Sequence, residues 1–509
     1  MKEEIIQNQR TGTGALILLY GFLIIYTSCL LYLCYTLNVW EDETYTLSTT
    51  SNKLATVLNL SYSFEGQPPV YFLLMAIWRL ISTDVFFARL FSLICIGGAA
   101  YYFYKLVCFI SGKTGSLWVL VIFLLNPFTV WAALEIRVYA FLILLSVISI
   151  YYFIRYYAES KRKDLLIFLA IAVVGVYSQY FFTLLIAALA FSLLVFKGYK
   201  VFFRFCLYLL PVVLLFLPNF IFIKQQIEMH QGSLTLISEA KNVKAVFYTP
   251  QDFLMALQLV PLDRWLRWGI KIIFITGLLY AYVKLFKNSR FNSRKELNQL
   301  NILLLAAGFL VILYGAVVML TGIVYSAKYM AIVFPFVMLL FVLIKQYYSS
   351  ARRIIFIGCS LYFASLLLLF YKTPVKSYDY KRIAGYINKI EHPGEPVLFY
   401  SNLIYPPFTY YYTGKNSVIP LPGKVTFDSN YVTNIKDTVV LKQLLAETTS
   451  QANSYLFVTN ALGIVELNKD MNRDMINDYL EKYYLTTLDT LYYGRSKTRY
   501  LRIRRLQKK

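Results

Sequence analysis

Residues 14–37 read GALILLYGFLIIYTSCLLYLCYTL and run directly into Asn38-Val39-Trp40-Glu41-Asp42-Glu43-Thr44-Tyr45. The first stretch carries no charged side chain. Crossing a hydrocarbon core about 30 Å thick takes about 20 apolar residues, so it is long enough to span one. It is too long for the core of a signal peptide, and no small-residue cleavage site follows it, so a retained helix is expected. The acids behind it are the informative part. Carboxylates at a membrane edge are costly and seldom placed there for stability. Gathered at one mouth of a helical membrane protein, they point to a reaction at the membrane surface, with an acid serving as base or metal ligand.

The rest of the chain repeats the apolar run. Of 509 residues, 58% are hydrophobic and 15% charged, against about 45–50% and about 25% in a soluble domain. The formal charge of +23 would suggest nucleic acid in a soluble protein. Here much of it sits in short loops between apolar runs, where orientation signals belong, so no nucleic-acid partner is expected. All six cysteines lie in or beside apolar runs, and their spacing gives neither a disulfide framework nor a CxxC metal site.

The apolar runs predict a polytopic α-helical membrane protein with about 11 transmembrane helices. They fall near 14–37, 85–108, 115–133, 137–157, 164–178, 180–196, 201–223, 268–287, 301–321, 329–346 and 353–371. With the N-terminus inside, one set of connections holds Lys113, Lys161 to Lys163, Lys197, Lys200, Lys287, Arg290, Arg294, Lys295, Arg352 and Arg353. The opposite set is poor in basic residues. The positive-inside rule then makes the basic set cytoplasmic and puts the acids, the loop 224–266 and the C-terminal region outside.

Two stretches depart from this pattern. The outer loop 38–84 reads as two short interfacial helices, an amphipathic one over Thr44 to Leu60 and an apolar one over Pro68 to Leu80. The transmembrane domain ends at 371, and 372–509 alternates helical patterns with β-rich runs, predicting an extracytoplasmic α/β domain. Its expected helices cover 380–390, 437–447 and 470–483, and its expected strands 396–400, 417–421 and 455–458. The basic tail, 495–509, is either a contact for anionic headgroups or a solvated final strand.

Asp42 and Glu43 are the leading catalytic candidates. A carboxylate suits proton abstraction from an acceptor hydroxyl when a partly dry site raises its pKa. The ordinary alternative is a polar cap on the helix that follows. Glu65, just before Gln67-Pro68-Pro69-Val70-Tyr71, is a candidate ligand for a divalent cation or a contact for the acceptor; otherwise it is a solvated loop acid. Arg137 and Tyr139, beside Glu135, sit where an outer turn enters a span, where an arginine can hold a phosphate with a forked pair of hydrogen bonds. The alternative is a snorkelling arginine paired with Glu135. Lys328 and Tyr329, after Tyr325, occupy a very short outer turn, suited to a lipid phosphate or to ordinary interfacial anchoring. His230 lies in the 224–266 loop beside Glu228, a candidate metal ligand of the weakest kind.

In order along the chain, these pieces resemble the GT-C superfamily of polyprenyl-phosphate-sugar glycosyltransferases. The resemblance is to the branch holding protein O-mannosyltransferases, the aminoarabinose transferase of lipid A and RgtA/B/C/D-like enzymes. The matching pieces are Asp42-Glu43, Gln67-Pro68-Pro69-Val70-Tyr71, Ala88-Arg89-Leu90-Phe91-Ser92, Glu135-Ile136-Arg137-Val138-Tyr139-Ala140, Tyr177-Ser178-Gln179-Tyr180-Phe181 and Lys328-Tyr329. Gln67 and Gln179 stand where many relatives have histidine, and Lys328 where many have arginine. The resemblance implies Asp42 as catalytic base and inversion at the anomeric carbon. It also implies Arg137 and Lys328 beside the leaving phosphate, and a lid formed by loop 224–266. The implied partners are a polyprenyl-phosphate-linked sugar donor, membrane lipids, and a lipid, glycan or protein acceptor. The implied place is a bacterial inner membrane, with the active site outside. A membrane polysaccharide ligase or polymerase is the competing reading. A lipid-linked sugar flippase fits less well, because transporters place ionisable groups near the midplane of related halves.

Overall fold

A helix running Lys2–Thr36 opens the computed structural model, and its apolar part, Ile17–Thr36, is long enough to cross a bilayer. The structure describes residues 2–112, 116–230, 243–255, 294–321, 326–347, 352–426, 434–449, 452–462, 472–495 and 499–509, with a few single positions between 265 and 280. Among the described residues, five further helices have the length and composition of spans: Val85–Ser111, Tyr139–Glu159, Tyr199–Phe216, Gln299–Leu320 and Arg353–Phe370. Ser116–Leu125 and Pro127–Ala133 together make one more, bent by 61°. Asn126 causes the bend. Its side chain accepts from the Phe128 amide at 2.9 Å, proline follows at the first helical position, and its Nδ2 donates to the Phe253 carbonyl at 2.8 Å. The expected spans near 164–178, 180–196 and 329–346 are shorter helices here, Arg162–Val176, Phe182–Lys197 and Phe334–Leu343. The expected span at 268–287 lies largely outside the described residues.

The chain divides into two compact units. The first contains 1–35, 67–221 and 238–370; the second contains 36–66, 222–237 and 371–509. In the first, polar side chains inside the apolar body are tied to backbone carbonyls. Arg89, fully buried, donates to the Cys34 carbonyl at 2.9 Å, one of the last carbonyls of the opening helix. Ser92 donates to the Glu135 carbonyl at 2.5 Å and Ser146 to that of Ile332 at 2.9 Å. At the turn between Arg162–Val176 and Phe182–Lys197, a Cβ on Gly175 would lie 2.3 Å from the Phe182 ring, so only glycine lets these helices close.

In the second unit, the amphipathic helix expected over 44–60 is two helices, Glu41–Thr49 and Leu54–Ser63. The break has a local cause. Thr50 Oγ1 donates to the Thr46 carbonyl at 2.7 Å, Ser51 Oγ to that of Ser48 at 2.8 Å, and Asn52 Nδ2 also to that of Ser48 at 2.8 Å. Side chains that bond the backbone compete with helical continuation.

The C-terminal part of this unit is a five-stranded sheet in the order β2-β1-β3-β5-β4. The strands are β1 (Val397–Tyr400), β2 (Val418–Pro420), β3 (Ser454–Leu462), β4 (Tyr484–Tyr493) and β5 (Arg499–Lys508). β1 pairs in parallel with β2 and β3; β5 runs antiparallel to β3 and β4. Alternate residues face opposite ways. Val397 and Phe399 pack under the helix Tyr380–Ile390, with Ile383 and Ile387, while Leu398 and Tyr400 join Leu441, Ile476 and Leu480 of helices Thr438–Thr449 and Arg473–Tyr483. The basic tail forms β5, with Leu501, Ile503 and Leu506 buried, which replaces the headgroup-contact reading by a strand inside the sheet.

Glu395 ties this sheet together at one end. Arg505 donates to both its oxygens at 2.8 and 3.0 Å, Ser454 at 2.8 Å and the His392 amide at 3.1 Å. Burial alone would raise its pKa, but these hydrogen bonds outweigh burial and hold the carboxyl below its usual range. A depressed folded-state pKa contributes stability above the unfolded value and loses it as pH falls through the folded one. The thermal midpoint of the wild-type chain should therefore drop more steeply between about pH 5 and about pH 3 than that of Glu395→Gln. Parallel curves would contradict this.

Candidate active site

Four residues, Leu37 to Trp40, separate the opening helix from the acids. Helix Glu41–Thr49 places Glu41, Asp42 and Glu43 in its first turn, where the helix dipole favours negative charge. The segment leading in is fixed by the stretch that begins the C-terminal region. Asn38, buried, accepts from the Lys376 amide at 2.8 Å and donates to the Tyr378 carbonyl at 2.7 Å. The Val39 amide donates to the Tyr411 hydroxyl at 2.7 Å.

The three acids then take different surroundings. Glu43 is fully buried and its Oε1 meets Lys376 Nζ at 2.6 Å, with the lysine side chain only 7% exposed. Glu41 Oε1 accepts from Tyr380 Oη at 2.5 Å and from Ser377 Oγ at 3.3 Å. Burial, reinforced by the Glu41 carboxylate, pushes the Tyr380 phenol well above its ordinary value, so it stays a proton donor. Asp42, between them, is partly exposed. Glu65, partly buried, accepts from Thr49 Oγ1 at 3.2 Å, joining the end of the acidic helix to the loop before Gly66. Sequence reasoning missed Asn38, Glu41, Lys376, Ser377, Tyr380 and Tyr411. The only available signal was a polar cluster, Lys376-Ser377-Tyr378-Asp379-Tyr380, directly behind the last apolar run.

The remaining candidates, His230 apart, belong to the other unit. Pro68 and Pro69 are buried and start helix Val70–Arg79, whose first amide donates to the Tyr177 carbonyl at 3.0 Å. That bond joins the Gln67-Pro68-Pro69 segment to Tyr177-Ser178-Gln179. The side-chain carbonyls of Gln67 and Gln179 are both buried and have no hydrogen-bond partner among the described residues. Tyr71 packs against Phe72, Phe91 and Phe141. Arg137 is 8% exposed and Tyr139 1%, the latter with its ring 5.2 Å from that of Trp131. Lys328 lies in a 3-10 turn, Ala327–Met330, with its Nζ 5.8 Å from the centre of the Tyr329 ring. The side chain of His230 and all of Tyr325 lie outside the described residues. Among the described residues, no group of three or more His, Cys, Asp or Glu side chains converges on a metal-sized site.

The Glu43–Lys376 pair makes a direct prediction. Removing one partner of a buried ion pair costs about 3–5 kcal/mol, whereas replacing both by neutral groups costs far less. Lys376→Met should destabilise the folded chain strongly, and adding Glu43→Gln should recover much of the loss in thermal unfolding. Additive losses would show that the pair carries no coupling.

Residues 66–222 match the family model described as Dolichyl-phosphate-mannose-protein mannosyltransferase. No curated protein matches the chain in sequence. Among solved structures, ArnT from Cupriavidus metallidurans in the apo state is similar over 97% of this chain and 98% of that one, at 12% identity and a TM-score of 0.56. ArnT from the same organism bound to undecaprenyl phosphate aligns over 95% and 98%, at 11% identity and a TM-score of 0.43. The chain has an ArnT-like fold, a helical membrane protein with a sheet-containing C-terminal domain.

Proposed function

We propose that this protein is a membrane glycosyltransferase that moves a sugar from a polyprenyl-phosphate donor to a hydroxyl group of a lipid, glycan or protein. The match of residues 66–222 to a mannosyltransferase family supports the reaction class. One observation carries the choice of base. In the first turn of helix Glu41–Thr49, Glu43 is fully buried against Lys376, whereas Asp42 is partly exposed and so open to an acceptor, as is Glu41, which hydrogen-bonds Tyr380 and Ser377. Asp42 would take the proton of the acceptor hydroxyl as its oxygen bonds to the anomeric carbon. The bond from that carbon to the phosphate oxygen breaks with inversion, and the lipid phosphate leaves with the electron pair. Arg137 and Lys328 would offset the charge gathering on that phosphate. The basic loops, Lys161 to Lys163 among them, support an orientation with the acids and residues 372–509 outside the cytoplasm. A bacterial inner membrane fits this arrangement.

Asp42→Asn should lower transfer by about a hundredfold or more, as when a general base is removed, with donor binding preserved. Glu43→Gln should act through stability first. Near-normal turnover of a folded Asp42→Asn chain would reject the assignment.

The phosphate contacts are tested separately. Hydrogen bonds to a charged group contribute about 1.5–3 kcal/mol each. Arg137→Ala and Lys328→Ala should therefore raise the donor concentration required, leaving acceptor saturation nearly unchanged. Lys328→Arg keeps the charge and should retain activity. Unchanged donor binding in both alanine variants would reduce the two residues to interfacial anchors.

A further inference from the structure

Within the helical unit a cationic surface lies at the far end of helix Tyr139–Glu159 from Arg137. Tyr156 stands in the last turn of that helix, roughly 28 Å along its axis from Arg137. Three helices meet there: the end of Tyr139–Glu159 and the beginnings of Arg162–Val176 and Tyr199–Phe216. Phe205 locks them together. It is fully buried, its ring 5.6 Å from those of Phe153 and Phe168 and 6.0 Å from that of Tyr157. With Phe205 turned inward, Arg204 is exposed, and Tyr208, one turn further on, meets Tyr156 edge to face at 6.3 Å. Lys200 stands one turn before Arg204 and is exposed as well. Arg162 and Arg204 both lie within electrostatic reach of the Tyr156 phenol.

The acids at this end are already answered. Glu159 pairs with Arg155 at 3.2 Å and with Lys161 at 2.7 Å, and the buried Asp164 pairs with Arg155 at 3.4 Å. Among the described residues, no carboxylate pairs with Arg162, Lys200 or Arg204. Beyond Arg204 the surface of the same helix turns apolar. Leu207, Leu210 and Leu214 are all about half exposed or more, a surface suited to acyl chains. Unmatched cations at a helix end above an apolar helix surface complement an amphiphile with an anionic head.

We propose that Arg162, Lys200 and Arg204 form a site for one anionic phospholipid, with its phosphate on the two guanidinium groups and its acyl chains along Leu207, Leu210 and Leu214. A guanidinium fork matches phosphate oxygens, and the hydroxyl groups of Tyr156 and Tyr208 stand beside it as further donors. An anionic head is favoured over a zwitterionic one, whose ammonium would add a cation to three that have no carboxylate. Basic pockets between spanning helices bind anionic headgroups in this way. Charges that served only to orient the chain would hold no particular lipid.

Native mass spectrometry on the full-length chain in detergent tests this, with phosphatidylglycerol and phosphatidylcholine of identical acyl chains titrated in turn. One phosphatidylglycerol should bind saturably and several-fold more tightly than phosphatidylcholine. Arg162→Gln and Arg204→Gln should each weaken it about fivefold, the effect of one cation near a charged headgroup. Both side chains are exposed, so the fold tolerates these changes. Arg353→Gln removes one charge from another of the basic loops and should leave the affinity unchanged. Glycerol 3-phosphate in excess, which carries the phosphate without acyl chains, should not displace the lipid. Equal binding of the two lipids, unsaturable uptake of phosphatidylglycerol, equal weakening in Arg353→Gln, or displacement by glycerol 3-phosphate would overturn the proposal.

Discussion

A carboxylate buried beside an ammonium, Glu43 against Lys376, is the interaction on which the acidic helix depends. Neither side chain tolerates that depth alone, because an unpaired buried charge costs several kcal/mol. Each therefore fixes the other, and with them two stretches more than 330 residues apart in sequence. Asn38 makes the same connection through backbone groups, meeting the Lys376 amide and the Tyr378 carbonyl. Tyr380 and Ser377 complete it at Glu41. The segment after the last span thus acts as a brace for the loop after the first. An acid poised for proton abstraction needs such bracing, since misplacement by about 1 Å can cost a hundredfold in rate.

The helical unit solves a related problem with different means. Its interior offers no water to polar groups, so each must find a protein partner. Arg89 finds the end of the opening helix, and Ser92 and Ser146 find carbonyls at turns and breaks in other helices. Asn126 caps one helix and reaches the backbone of another. These side chains hold the irregular places in the helical body. The Ala88-Arg89-Leu90-Phe91-Ser92 stretch, read from sequence only as a point of family likeness, owes two of its five residues to this role.

Much of this was legible in the sequence. Helix Tyr380–Ile390 occupies the expected residues, because its apolar positions recur at helical spacing above a sheet. The expected strands at 396–400, 417–421 and 455–458 lie on β1, β2 and β3 for the opposite reason, a dense β-branched and aromatic content. β4 escaped notice because its side chains alternate only between partly and fully exposed, leaving little apolar signal. From sequence the basic tail reads as a headgroup contact or a solvated strand, and its charges hide its place inside the sheet, since nothing local reveals that Arg504 is buried and Arg505 answers Glu395. The brace was illegible for a deeper reason. A lysine behind the last span and a glutamate behind the first carry no pattern that announces their pairing; only the fold joins them.

The account rests on the brace holding the acid in place, and the turnover number of Asn38→Ala measures that most directly. This substitution leaves every ionisable group in the sequence and removes the side-chain hydrogen bonds to Lys376 and Tyr378 that fix the approach to Asp42. If bracing sets the position of the base, kcat for sugar transfer should fall roughly tenfold or more while the KM for the polyprenyl-phosphate donor stays near its wild-type value. A folded Asn38→Ala chain with wild-type kcat would contradict the account.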